Sequence, residues 1–125
     1  MKKSVWITVI TLALVVFGAW GITGYVTKVG VSPSFVECLA EKGVIFAGAE
    51  WCPHCQDQKT IFGRKATKAL YGESVYVECP ENQELCKSKG VTGYPTWIIN
   101  GESYPGVQQL ERLSSLTGCE LTYIQ

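Results

Sequence analysis

The sequence predicts an α/β domain, a four-stranded mixed sheet with helices on both faces, preceded by one N-terminal transmembrane helix. Three observations predict it. Short apolar runs at 44–47, 75–79 and 96–99 alternate with stretches of helical periodicity. Asn100-Gly101 marks a tight hairpin directly after the third run. An uncharged run at 5–26 stands behind the basic head Met1-Lys2-Lys3.

The N-terminal run is rich in Val, Ile, Leu and Trp. At about 1.5 Å per residue it spans roughly 33 Å as a helix, which matches a bilayer core. Trp6 near one end and Trp20 and Tyr25 near the other suit the two interfaces. Two lysines and the amino terminus precede the run, and Lys28 alone follows it. The positive-inside rule then keeps the N-terminus in the cytoplasm and exports the rest. Residues 1–27 therefore read as a signal anchor, 28–33 as a linker and 34–125 as the exported domain. The linker reaches about 20 Å when extended, which holds the domain close to the membrane. Ala19-Trp20-Gly21 has the small-residue spacing of a cleavage site, and cleavage there would release a secreted protein. Both readings place the domain in the periplasm or at the cell exterior. Six cysteines suit such an oxidising compartment.

Within the domain, the first helix carries Phe35, Val36, Leu39 and Ala40 as its apolar face and ends at Gly43. Either Ser34 with Glu37 forms a capping box, or Ser32 caps with Pro33 in the first turn. A buried strand follows at 44–47. A long helix over 52–70 turns Ile61 and Phe62 inward, and Gly63 permits close packing. A second strand lies at 75–79 and a short helix at 81–89, closed by Gly90. The strand at 96–99 turns through Asn100-Gly101 into an antiparallel strand at 102–104. The last helix, 108–117, buries Leu110, Leu113 and Leu116 and stops at Gly118. The first two strands are parallel and need a crossover, which the long helix supplies. Zero formal net charge, with no basic stripe and no low-complexity tract, gives no sign of a nucleic-acid partner.

Trp51-Cys52-Pro53-His54-Cys55 carries the chemistry. Cys52 falls where a strand ends and a helix begins, and the helix N-terminus stabilises a thiolate there. A stabilised thiolate leaves readily, so a disulfide containing it is a strong oxidant. Cys55, one turn deeper, attacks the mixed disulfide and releases product. Pro53 restrains the loop, and His54 adds a positive charge or a hydrogen bond near the Cys52 sulfur. A permanent staple across so short a loop gains little. Zinc needs a second ligand pair, and Cys79-x6-Cys86 has unusual spacing for one. Pro95, after Gly93-Tyr94, reads as a turn proline, either cis, which would leave the backbone of Tyr94 open to a substrate strand, or an ordinary trans proline at a strand start. Trp51 is either an exposed contact or core, and Trp97 is a packing residue.

The pattern resembles the thioredoxin superfamily in its minimal thioredoxin-like fold. More narrowly it resembles the thioredoxin-like domains fused to, or encoded beside, bacterial homologues of vitamin K epoxide reductase. Ala49-Glu50-Trp51-Cys52-Pro53-His54-Cys55-Gln56-Asp57-Gln58-Lys59, Tyr76-Val77-Glu78-Cys79, Gly93-Tyr94-Pro95-Thr96-Trp97, Tyr104-Pro105-Gly106-Val107 and Leu116-Thr117-Gly118-Cys119 carry the likeness. The Pro-His dipeptide is similar to that of the DsbA-like periplasmic oxidants. The resemblance implies Cys52 as nucleophile, Cys55 as resolving thiol, Pro95 as the cis proline, and a membrane quinone reductase as electron partner. It departs at Phe46, which stands where cytosolic thioredoxins carry a buried Asp, so proton handling for Cys55 must differ. The chain is also too short for the helical insertion of the DsbA-like proteins.

Six cysteines leave 15 connectivities open. Cys79 and Cys86 share one local unit and suit a disulfide, which the resemblance also favours; it would be a staple or a second redox pair. Cys38 and Cys119 lie on terminal helices, either joined across the domain or as separate buried thiols. The sequence thus predicts an outward-facing thiol–disulfide oxidoreductase that oxidises thiols in exported proteins and is reoxidised in the membrane, with no cofactor or metal. Disulfide reduction or isomerisation is the alternative within that chemistry, and a copper or zinc module built on Cys52 and Cys55 is the alternative outside it.

Overall fold

The structure, a computed structural model, describes residues 3, 7–10 and 30–125. The expected span at 5–26 falls largely outside the described residues, as do residues 28 and 29 of the 28–33 linker. Among the described residues no helix is long and apolar enough to cross a membrane.

Within residues 30–125 eleven elements follow one another: β1 (Gly30–Val31), α1 (Pro33–Glu41), β2 (Ile45–Gly48), α2 (Pro53–Phe62), α3 (Arg64–Gly72), β3 (Tyr76–Glu78), α4 (Gln83–Ser88), β4 (Thr96–Ile99), β5 (Glu102–Pro105), α5 (Leu110–Thr117) and β6 (Tyr123–Ile124). The main sheet has the order β3-β2-β4-β5. β2 and β3 run parallel, with Phe46 opposite Tyr76, and β4 is antiparallel to β2, with Phe46 opposite Trp97. The expected mixed four-stranded sheet is therefore present. The turn between β4 and β5 places Asn100 at φ 53° and Gly101 at φ 80°, the left-handed pair that a two-residue hairpin requires.

Strand alternation splits the interior into two layers. Phe46, Tyr76, Trp97 and Ile99 face the larger core, which also holds Phe35, Leu39, Phe62, Leu70 and Leu113. Ile45, Ala47 and Val77 face a smaller cluster around Cys79 and Cys86. Trp97 stacks on Phe46 at 4.7 Å and on Phe62 at 5.7 Å, joining two strands to α2 in one aromatic column. Trp97 is thus packing, as its strand position implied.

Four expectations are corrected, and one open alternative, the cap of α1, is decided. The helix over 52–70 breaks at Gly63, where φ is 79°. A Cβ built at Gly63 would lie 2.8 Å from the Cα of Gly30, so a bare backbone here lets β1 cross the junction of α2 and α3. Residues 30–31, assigned to the linker, form β1 and pair antiparallel with β6; Val31 is fully buried. Ser32, and not Ser34, caps α1: its hydroxyl accepts from the amide of Ser34 with Pro33 in the first turn. Cys119 lies beyond the end of α5 and not on it. Leu116 is only partly buried, whereas Leu110 and Leu113 are core.

Candidate active site

The apolar strand β2 ends at Gly48, and the chain turns through Ala49, Glu50 and Trp51 into α2. Cys52 is the N-cap of α2, with extended backbone angles and Pro53 at the first helical position. Its sulfur takes the place of the usual capping oxygen, accepting the backbone N–H of Cys55 at 3.3 Å. The positive end of the helix dipole points at the same atom. Cys52 is 5% exposed and Cys55 fully buried, and both are free thiols. Burial pushes the Cys55 thiol up to about 12; its hydrogen bond with Cys52 adds to the rise, and the nearby Lys59 ammonium works against it.

The loop before β4 approaches this helix start. The Tyr94–Pro95 peptide bond is cis. The Trp51 ring, 72% exposed, meets the Tyr94 ring edge-on at 6.0 Å, which ties the Cys-x-x-Cys turn to the proline loop. Trp51 is therefore a surface residue. His54 Nδ1 lies 3.4 Å from the carboxylate of Asp57, one turn along α2, with both side chains in solvent. The bond onto the Cys52 sulfur comes from backbone.

The remaining cysteines are joined, Cys38 to Cys119 and Cys79 to Cys86. The first bond links α1 to the chain beyond α5. The second links the end of β3 to α4 under the smaller core cluster. Among the described residues no group of three or more His, Cys, Asp or Glu side chains is placed to hold a metal ion.

Two polar residues behind the thiols were missed from sequence. Gln58 is fully buried. Its Oε1 accepts from the Trp97 indole at 3.0 Å and from the Gln108 amide at 2.7 Å, and its Nε2 donates to the Gln108 carbonyl at 2.9 Å. Lys59 is 6% exposed, and its Nζ donates to Glu50 at 2.9 Å and to the Tyr71 hydroxyl at 2.6 Å. The only sequence signal was spacing: Gln58 and Lys59 stand three and four residues after Cys55, on its face of the helix.

A Cys-x-x-Cys pair capping a helix at the end of the central strand, beside a cis proline, defines a domain of the thiol–disulfide oxidoreductase class. The chain belongs to the thioredoxin family, whose model, described as "Thioredoxin", matches residues 28–116. It is 39% identical over 87 residues to the "Thiol-disulfide oxidoreductase LTO1" of Arabidopsis thaliana, a match covering 63% of this chain and 22% of that protein. It is 34% identical over 91 residues to a "Protein disulfide-isomerase" of Aspergillus niger, covering 66% of this chain and 18% of that protein. A "Thioredoxin domain-containing protein 5 homolog" of Drosophila melanogaster is 34% identical over 94 residues, covering 65% of this chain and 22% of that protein. The matches thus span about a fifth of the length of these relatives.

Proposed function

We propose that this protein is a membrane-anchored, extracytoplasmic oxidant that forms disulfides in exported proteins and is reoxidised by a membrane quinone reductase of the vitamin K epoxide reductase type. One observation carries the chemistry: the Cys52 sulfur caps α2, taking a backbone hydrogen bond, with the buried Cys55 thiol one turn behind it. In the oxidised protein a substrate thiolate attacks the Cys52 sulfur. The Cys52–Cys55 bond breaks, its electron pair goes to Cys55, and Cys55 takes a proton. A second substrate thiolate then attacks the substrate sulfur of the mixed disulfide and expels Cys52. The substrate gains a disulfide, and the protein keeps two thiols. The membrane partner removes two electrons and two protons to restore the disulfide. The exposed Trp51 and the Tyr94–Pro95 loop offer the docking surface for the extended substrate.

The redox potential of the Cys52/Cys55 couple, measured in glutathione buffers, tests the direction. A value above about −200 mV is expected of an oxidant; one near −270 mV belongs to a reductase and overturns the reading. A Cys55→Ala variant in membranes should trap a mixed disulfide with a multi-span protein. A trap populated by soluble proteins alone removes the membrane partner. Isomerisation is the second reading, favoured by the disulfide-isomerases among the relatives. Faster reshuffling of scrambled ribonuclease than oxidation of the reduced form would select it.

A further inference from the structure

Cys55 passes through a charged state in either direction of exchange. Burial opposes that charge. Phe46 is fully buried, with its ring against Tyr76 and Trp97, and offers no proton or charge.

A different group stands behind the sulfur. Gly48 has no side chain, and the space a Cβ would take is shared: that point lies 3.0 Å from the Cys55 Sγ and 3.0 Å from the Tyr76 ring. The sulfur and the ring therefore converge on one spot. Lys59 meets the same ring, with its Nζ 4.2 Å from the Tyr76 centroid. Cys55 and Lys59 are one helical turn apart on the same face of α2. Lys59 is held by the carboxylate of Glu50 and the hydroxyl of Tyr71, and Tyr71 also donates to Glu50. Tyr76 in turn donates to Glu78 at 2.6 Å, and Glu78 accepts the backbone amide of Glu50 at 3.1 Å. A lysine this deeply buried loses hydration, yet the bonds to Tyr71 and Glu50 outweigh that loss and hold it charged. The groups facing Cys55 are thus Cys52 and Lys59 from its own helix, the backbone of Ala49 from the turn after β2, which bonds the sulfur and also favours its charge, and Tyr76 from β3. Those facing Lys59 are Glu50, Tyr71 and Tyr76, with Glu78 behind.

We propose that Lys59 is the positioning residue of the exchange step, its ammonium stabilising the negative sulfur of Cys55 at the moment that sulfur is bonded neither to Cys52 nor to a proton. Glu50 sets its strength by partly neutralising it. In the resolving direction Cys55 attacks the Cys52 sulfur of a mixed disulfide. The bond from Cys52 to the substrate breaks, its electron pair leaves on the substrate sulfur, and the proton lost by Cys55 ends there. In the oxidising direction the same atoms move in reverse. The assignment rests on the exchange chemistry proposed above.

Stopped-flow reaction of the reduced protein with an equimolar aromatic disulfide that releases a coloured thiol separates the two. A first, concentration-dependent release reports attack by Cys52. A second, concentration-independent release reports attack by Cys55. Lys59→Met should slow the second phase several-fold at neutral pH and move its rise to higher pH, because a nearby opposite charge favours the thiolate. Its first phase should hold, and Lys59→Arg should restore the second. Glu50→Gln should speed the second phase, because Tyr71 still holds the ammonium while the carboxylate no longer partly neutralises it. Structural damage would slow both variants, so opposite signs carry the test, and the partly exposed Glu50 makes that variant tolerant. A second phase unchanged in Lys59→Met, or slowed in Glu50→Gln, overturns the assignment; if Lys59→Met does not fold, Glu50→Gln alone decides. Absence of the first phase in the unaltered protein overturns instead the exchange chemistry on which it rests.

Discussion

Replacing Gln58 with Ala should remove much of the stability of the domain. Gln58 is the buried strut between α2, which carries Cys55, and two segments far away in sequence, Trp97 on β4 and Gln108 before α5. Truncation orphans the Trp97 indole N–H and the Gln108 amide N–H, and no other buried side-chain polar atom in the described residues lacks a partner. Each orphaned donor costs about 1–3 kcal/mol. The void beneath the stacked rings of Phe62 and Trp97 adds to this, and a water entering it gives part back. A net loss of about 2–5 kcal/mol is expected, against roughly 5–15 kcal/mol for a whole small domain. Urea unfolding with the disulfides intact measures it, and melting should fall by roughly 10–30 °C. Gln58→Met separates the two contributions, since it fills most of the space yet makes none of the bonds. A loss below about 1 kcal/mol in the Ala variant would refute the strut, because the bonds would then be replaceable by solvent.

Three further outcomes are expected. Removing Cys38–Cys119, whose loop spans 81 residues, should cost about 4–5 kcal/mol, and removing Cys79–Cys86, separated by 7, about 2–3 kcal/mol, both read as urea midpoints of the paired Ala variants. In mild reductant the Cys52–Cys55 bond should open before either, and alkylation with peptide mapping would show the order; joint labelling of Cys79 and Cys86 with the active pair would make the second bond a relay. Cys55 in the reduced protein is raised from 9.0 to about 12, so its share of stability is full below about pH 9 and is lost as pH rises toward 12; the unaltered protein should lose stability faster than Cys55→Ala across that window. Gly63→Ala should destabilise by more than about 1 kcal/mol, because its Cβ meets the Gly30 backbone at a positive φ, and loss of protection in the amides of β1 would locate the damage.

The parts legible in the sequence were those whose cause is local. The Asn100-Gly101 turn, the strand at Thr96–Ile99 and the helix start at Cys52-Pro53 each follow from the residues at that point. The pair of His54 with Asp57, one turn apart along α2, is local too. The helix break at Gly63 carried an ambiguous signal, since an isolated glycine is tolerated within a helix. Its meaning depends on Gly30, 33 positions earlier.

Sequence by itself therefore determined the place of Cys52 and Cys55 at a helix N-terminus and the sheet that presents them, because backbone preference and apolar alternation act over a few residues. Tertiary structure alone decided which polar side chains are buried behind the pair. Gln58 and Lys59 read as solvent-facing helix residues by composition, and only partners up to 50 positions away make their burial tolerable. It also decided that two-residue segments at Gly30–Val31 and Tyr123–Ile124 are strands, since neither has a periodicity to read and each is ordered by pairing with the other. Burial of a polar group costs free energy until its partner arrives, so such residues are specified by the assembled fold and not by their neighbours in the chain.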